Sequence, residues 1–123
     1  MLDVDNVDLT TIVGNIIDNA FDAVLMNQDI MKKIVSLLIY EDNGEICISI
    51  TNNGPQILDV HMKRIFDYKY STKVKDSSDR GYGLFIVQEL VTRNNGKVTF
   101  QSTEQETEFL ISFSQRKELP EVS

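Results

Sequence analysis

The sequence predicts an α+β domain of two layers: a sheet, mixed but mostly antiparallel, with helices packed on one face. Three observations predict it. Residues 9–26 carry apolar side chains at helical spacing. Two pairs of short segments, 33–40 with 45–52 and 97–102 with 107–113, have strand character, and turn residues join each pair. A second helical segment, 81–94, lies between the pairs. With 41% hydrophobic and 25% charged residues, the 123-residue chain can bury one core without staples.

Taken in order, the first helix is expected from Ile12, Val13, Ile16, Ile17, Ala20, Phe21, Val24 and Leu25, which recur three and four apart. Asp8 is its expected N-cap. In the first hairpin, Asp42-Asn43-Gly44 offers the positive backbone angles of a tight turn. Ile46, Ile48 and Ile50 alternate with Cys47, Ser49 and Thr51, which sends one face of that strand to the core. Asn53-Gly54-Pro55 then breaks the strand. Residues 60–66 are expected to form a short helix, and 67–80 a long polar, basic loop of the kind that often carries function. The second helix turns Leu84, Val87, Leu90 and Val91 inward, and Gly96 is its expected C-cap region. The closing hairpin points Phe109, Ile111 and Phe113 inward. The domain is expected to span residues 1–114, and the polar tail 115–123, with Pro120, to fray.

Several classes are disfavoured. The single cysteine, Cys47, allows no internal disulfide and suits a reducing compartment. The acidic start MLDVDNVD does not resemble a signal peptide, and the apolar run 34–40 is far too short to span a bilayer. A net charge of −7 argues against nucleic acid as a partner. Yet Lys63, Arg64, Lys69, Lys73, Lys75 and Arg80, half of the 12 basic residues, fall in one stretch. They form either a solvated loop or a segment that meets a small polyanion such as a nucleotide.

Three motifs carry candidate chemistry. Asn15, Asn19 and Asp22 lie on one stripe of the first helix. Asparagine suits a helix interior poorly, so two on one stripe suggest either a solvated polar face or a chemical role. An amide oxygen can ligate Mg²⁺, and its NH₂ can hold a phosphate or a water. Asn52-Asn53-Gly54-Pro55 is either a plain turn or a place where backbone approaches a flat ligand closely. Asp79-Arg80-Gly81-Tyr82-Gly83-Leu84 opens a helix, where glycines can wrap phosphates and free N–H groups attract them. It is neither a Walker loop nor a Rossmann fingerprint.

As an ordered set these motifs resemble the GHKL ATPases, the superfamily of histidine kinases, gyrase, MutL and the Hsp90 chaperones. Residues 15–20, NIIDNA, look like the N box; 52–57, NNGPQI, like the first glycine box, usually DxGxG; Ile65-Phe66 with Tyr70-Ser71-Thr72-Lys73 like the F box; and Arg80-Gly81-Tyr82-Gly83-Leu84 like the second glycine box. Their flavour is similar to the citrate and dicarboxylate sensor kinases. The resemblance implies a Bergerat-type two-layer α/β sandwich that binds ATP and Mg²⁺. It implies a nucleotide site of Asn15, Asn19, Asp22, Asn52, Gly54, Ile57, Phe66, Ser71, Thr72, Lys73, Arg80, Gly81, Tyr82, Gly83 and Leu84. Within it, Asn19 would ligate the metal, and Asn15, Lys73 and Arg80 would serve catalysis. Residues 67–80 would form an ATP lid.

Asn15 stands where hydrolytic members carry a glutamate base; an amide cannot take a proton from water, which favours phosphoryl transfer over hydrolysis. Two positions depart from the pattern. Asn52 replaces the adenine-reading aspartate, and its amide oxygen is expected to accept from the exocyclic amine. Gln56 replaces the second glycine of that box and brings a side chain to the lid hinge. His61, the only histidine, matches no acceptor motif and is expected to be a surface or partly packed residue. Cys47 is expected in the core, and Phe66, Tyr68 and Tyr70 to pack.

The implied function is the catalytic domain of a two-component sensor histidine kinase. It would pass the γ-phosphate to a histidine on a separate dimerisation domain of the same parent, with a response regulator downstream. The domain would be cytoplasmic, monomeric by itself, and part of a parent that can be anchored in the cell membrane. A strand and the acceptor hairpin are expected upstream, so that Met1 is not a native start. The alternatives are a degenerate nucleotide-binding or docking module, motivated by Asn52 and Gln56, and an anti-sigma-factor serine kinase of the same fold.

Overall fold

The computed structural model describes residues 4–27, 32–57, 65–66 and 83–114. Helix α1 spans Asn6–Val24, followed by strands β1, Val35–Asp42, and β2, Glu45–Asn52. Helix α2, Gly83–Arg93, precedes β3, Gly96–Ser102, and β4, Thr107–Ser114. The sheet order is β1-β2-β4-β3. Every pairing among the described residues is antiparallel, so the expected mixed character is not found there. The expected short helix over 60–66, the loop over 67–80 and the tail over 115–123 lie wholly or largely outside the described residues.

Helix α1 begins earlier than its apolar pattern suggests, because Asp5, not Asp8, is the N-cap. Asp5 has extended backbone angles, and its carboxylate accepts the Asp8 N–H at 2.9 Å. Asp8 is inside the first turn, and its own carboxylate is taken elsewhere: Arg93 Nη2 and Nε donate to it at 2.6 and 3.1 Å, and Asn94 Nδ2 at 2.9 Å. This clamp joins the start of α1 to the end of α2, so the two helices run antiparallel.

Both helices lie on one face of the sheet. Ile12, Ile16 and Ala20 of α1 and Val87 and Val91 of α2 meet Ile48, Ile50, Phe109, Ile111 and Phe113, all 3% exposed or less. Burying such side chains stabilises the fold by roughly 1.5–3 kcal/mol each. Phe21 and Leu25, counted into the apolar stripe from sequence, are 52% and 68% exposed, and Leu25 is the C-cap just beyond α1. Cys47 is buried, but on the opposite face from Ile48. Burial, reinforced by the Asp42 and Glu45 charges, pushes its thiol pKa up, so it is an inert, protonated group.

The β1–β2 turn is just Asn43-Gly44, with φ of 53° and 83°, the primed turn that matches strand twist. At the end of α2 the left-handed residue is Asn95, φ 62°, and not Gly96. Gly96 opens β3 against a ring: a Cβ there would come within 2.5 Å of Phe113.

Candidate functional site

Two glycines bring other parts of the chain against α1. At Gly54 a Cβ would lie 2.7 Å from the Ala23 carbonyl carbon and oxygen, so only glycine lets the end of β2 reach the last turns of the helix. At Gly83 a Cβ would lie 3.3 Å from Asn15 Oδ1, so the first turn of α2 meets the Asn15 side chain. Asn15 donates through Nδ2 to the Thr11 carbonyl at 2.9 Å, which leaves its oxygen facing the α2 terminus. Asn19 and Asp22 lie between these contacts along α1, both half-buried. From Asn15 to Ala23 the helix rises about 12 Å.

Beyond β2, each polar residue of the NNGPQI segment has a distinct partner. Asn52 is 4% exposed, and its Oδ1 accepts the Gly54 N–H at 2.8 Å. The amide oxygen expected to meet the ligand is therefore engaged with the chain's own turn. Asn53 faces away: its Oδ1 accepts from Ile34 N at 2.8 Å and its Nδ2 donates to the Lys32 carbonyl at 2.9 Å, while Asn27 Nδ2 donates to the Asn53 carbonyl at 3.0 Å. Gln56 donates to the Ser102 carbonyl at 3.3 Å, so its side chain turns toward the end of β3. Ile57 N donates to Ser102 Oγ at 2.8 Å, and that hydroxyl is 2.6 Å from Thr107 Oγ1. Phe66 packs edge-on to Phe100 and Phe109, at 5.9 and 6.3 Å between ring centres, the packing role expected of it. Leu84 packs on the core.

Asn15, Asn19, Asp22, Asn52, Gly54, Ile57 and Gly83 thus border α1 and the strand ends beside it. Ser71, Thr72, Lys73, Arg80, Gly81 and Tyr82 lie outside the described residues, as do His61, Tyr68 and Tyr70. Thr107 is a site neighbour that the motifs do not include. It is 2% exposed and sits directly opposite Asn52 in the β2–β4 register. A signal was available: Thr107 shares the period-2 inner face of Phe109, Ile111 and Phe113, an unexpected place for a hydroxyl.

Among the described residues no group of three His, Cys, Asp or Glu side chains could hold a metal. A metal here would take most of its ligands from a bound phosphate, which suits Mg²⁺ and the neutral amide oxygen of Asn19. Among the described residues, too, no helix is long and apolar enough to cross a membrane.

Residues 4–117 match the histidine kinase-, DNA gyrase B- and HSP90-like ATPase family. The chain belongs to that family. It is an ATP-binding domain of the histidine-kinase type. A probable C4-dicarboxylate sensor kinase of Halalkalibacterium halodurans is 40% identical over 95 residues, 77% of this chain and 17% of the relative. The sensor histidine kinase DpiB of Escherichia coli is 30% identical, over 81% of this chain and 18% of the relative. The chain therefore spans less than a fifth of these relatives. Among solved structures, the catalytic domain of histidine kinase ThkA superposes with a TM-score of 0.77 at 19% identity, covering 93% of this chain and 70% of that one. The mycobacterial sensor histidine kinase MprB does so with 0.76 at 23%, covering 94% and 77%. Both support the α+β fold.

Proposed function

We propose that this domain lays a nucleoside triphosphate along α1, with its base at Asn52, Gly54 and Ile57 and its phosphates at Asn15, Asn19 and the start of α2. The observation that carries the reading is the pair of close approaches at Gly54 and Gly83. They set two walls against one helix, about 12 Å apart along its axis. The charged end of the ligand belongs at the α2 terminus, where backbone N–H groups and the helix dipole favour anions. The flat, uncharged base belongs at the strand end, where backbone comes close. Asp22, Phe66, Leu84 and, outside the described residues, Ser71, Thr72, Lys73, Arg80, Gly81 and Tyr82 complete the proposed site.

Mg²⁺ would be held by Asn19 together with phosphate oxygens and would neutralise charge on the transferring group. Asn15 lacks a carboxylate and cannot deprotonate a water, so the domain would orient the γ-phosphate for another acceptor and not hydrolyse it. Lys73 and Arg80 would contact the phosphates. The acceptor would be a histidine on a dimerisation domain of the same parent, with a response regulator downstream; relatives named as sensor kinases support the kinase part of this reading. This reading puts the domain in the cytoplasm, beside a parent that senses a signal elsewhere.

Calorimetry with Mg·ATP tests the site. Saturable binding that disappears in Asn19→Ala supports it. A folded native protein that shows no binding of any purine triphosphate into the millimolar range would leave the docking-module reading in its place.

A further inference from the structure

We propose that Asn52 opens the base site to 6-oxopurine nucleotides, inosine and guanosine triphosphates, on at least equal terms with ATP. The inference rests on the reading that the base lies at Asn52. What decides it physically is which corner of the Asn52 amide faces the ligand.

The Gly54 N–H is a donor, and it points at the Asn52 side chain from 2.8 Å. Only an oxygen can accept it, so the amide's orientation is decided by chemistry. Turning the amide over would set NH₂ against N–H and leave a buried backbone donor without a partner, which costs that donor its full desolvation. Asn52 is 4% exposed, so water cannot readily take over that bond. With the oxygen committed to Gly54, the other corner of the side chain is Nδ2, which carries two donor hydrogens.

An aspartate at this position would meet the same Gly54 N–H with one oxygen and present a second, charged acceptor at the other corner. That group suits the amine at position 6 of adenine and repels a carbonyl there. Asparagine inverts the pattern. Its NH₂ faces the adenine amine donor to donor, and it matches the O6 acceptor of hypoxanthine or guanine. A buried polar group that is matched by one ligand and left unmatched by another is a strong source of discrimination.

The test is a set of calorimetric titrations of the chain with Mg·ATP and Mg·ITP, for the native protein and Asn52→Asp. Inosine is the sharper probe because it lacks the 2-amino group of guanine and differs from adenosine only at the edge in question. The expected result is that native protein binds ITP at least as tightly as ATP. Asn52→Asp should then move the affinity ratio toward ATP by about tenfold or more, the effect of one such mismatch. A native preference for ATP over ITP of about tenfold or more would overturn the proposal while leaving the nucleotide site standing. So would a native protein that binds neither nucleotide when Asn52→Asp binds ATP. If neither protein binds either nucleotide and both give folded circular dichroism spectra, the base-site reading fails together with the proposal. Should Asn52→Asp not fold, the native ITP-to-ATP ratio decides alone.

Discussion

In the first hairpin, β1 carries Leu37, Leu38, Ile39 and Tyr40 in succession, and all four are between 38% and 61% exposed. In the second, Phe109, Ile111 and Phe113 of β4 are 1% exposed or less. The two strands have the same length and comparable apolar content. Their place in the sheet separates them. β4 lies between β2 and β3, under the helix layer, whereas β1 stands at the sheet edge among the described residues. Leu37 and Ile39 register with Ile50 and Ile48 and so stand on the helix-bearing face, yet α1 does not extend over them. Leu38 and Tyr40 stand on the other face, opposite Ser49 and Cys47. Hydropathy sets how much a strand gains from being covered. Topology sets whether it is.

The sharpest way to break this comparison is to truncate one residue on each side. Phe109→Ala removes a ring that stacks on Phe100 at 5.5 Å and meets Phe66 edge-on, and should cost about 3–5 kcal/mol in urea unfolding. Ile39→Ala, on the same sheet face, should stay within about 0.5 kcal/mol of the native protein. Equal losses would mean that β1 is as well covered in solution as β4.

A smaller contrast sits in two glycines, one in each hairpin. Gly96→Ala puts a methyl group into the Phe113 ring and the Ser112 carbonyl, at 2.5 and 2.7 Å, and backbone cannot give way there. Overpacking of that kind costs about 1–3 kcal/mol. Gly44→Ala meets nothing within 4 Å and suffers only from its φ of +83°, a cost of about 1 kcal/mol. Thermal melts of the two variants should rank in that order.

These residues also mark how far the sequence can be read. Periodicity is local, so α1, α2 and the four strands are legible, as is the Asn43-Gly44 turn. The ATP-type motifs are legible as strings, and Asn15, Asn19, Gly54 and Gly83 all stand in them. What the strings do not carry is contact across the fold. Gly96 fits a C-cap by its neighbours, and its real constraint is a ring 17 positions later on β4. Asp8 fits an N-cap, but a second aspartate three residues earlier takes that role, and the partner of Asp8 is 85 residues away. Asn52 looks like an adenine acceptor until Gly54 N–H is seen to hold its oxygen. The exposure of β1 is invisible for the same reason: no local pattern tells an edge strand from a central one.

The smallest effect concerns the clamp that holds the helix layer over the second hairpin, where α1 packs on α2 and α2 on β3. The Arg93 hydrogen bonds, then that of Asn94, hold the Asp8 carboxyl below the usual carboxylate range, with burial opposing them. Because the folded pKa lies below the unfolded one, the ionised carboxylate favours folding. Its contribution is complete above about pH 4, the unfolded value, and is lost as pH falls through the folded one. Melting temperatures from pH 7 downward should therefore drop for the native protein in that acid window. Asp8→Asn should be less stable than the native protein at neutral pH and converge on it in acid. Amide exchange should report the loosening first in α2 and β3, with the β1–β2 turn unchanged. A native-to-variant gap that stays constant with pH would show that Asp8 acts through shape and not charge, and that the second hairpin is held under its helices by packing alone.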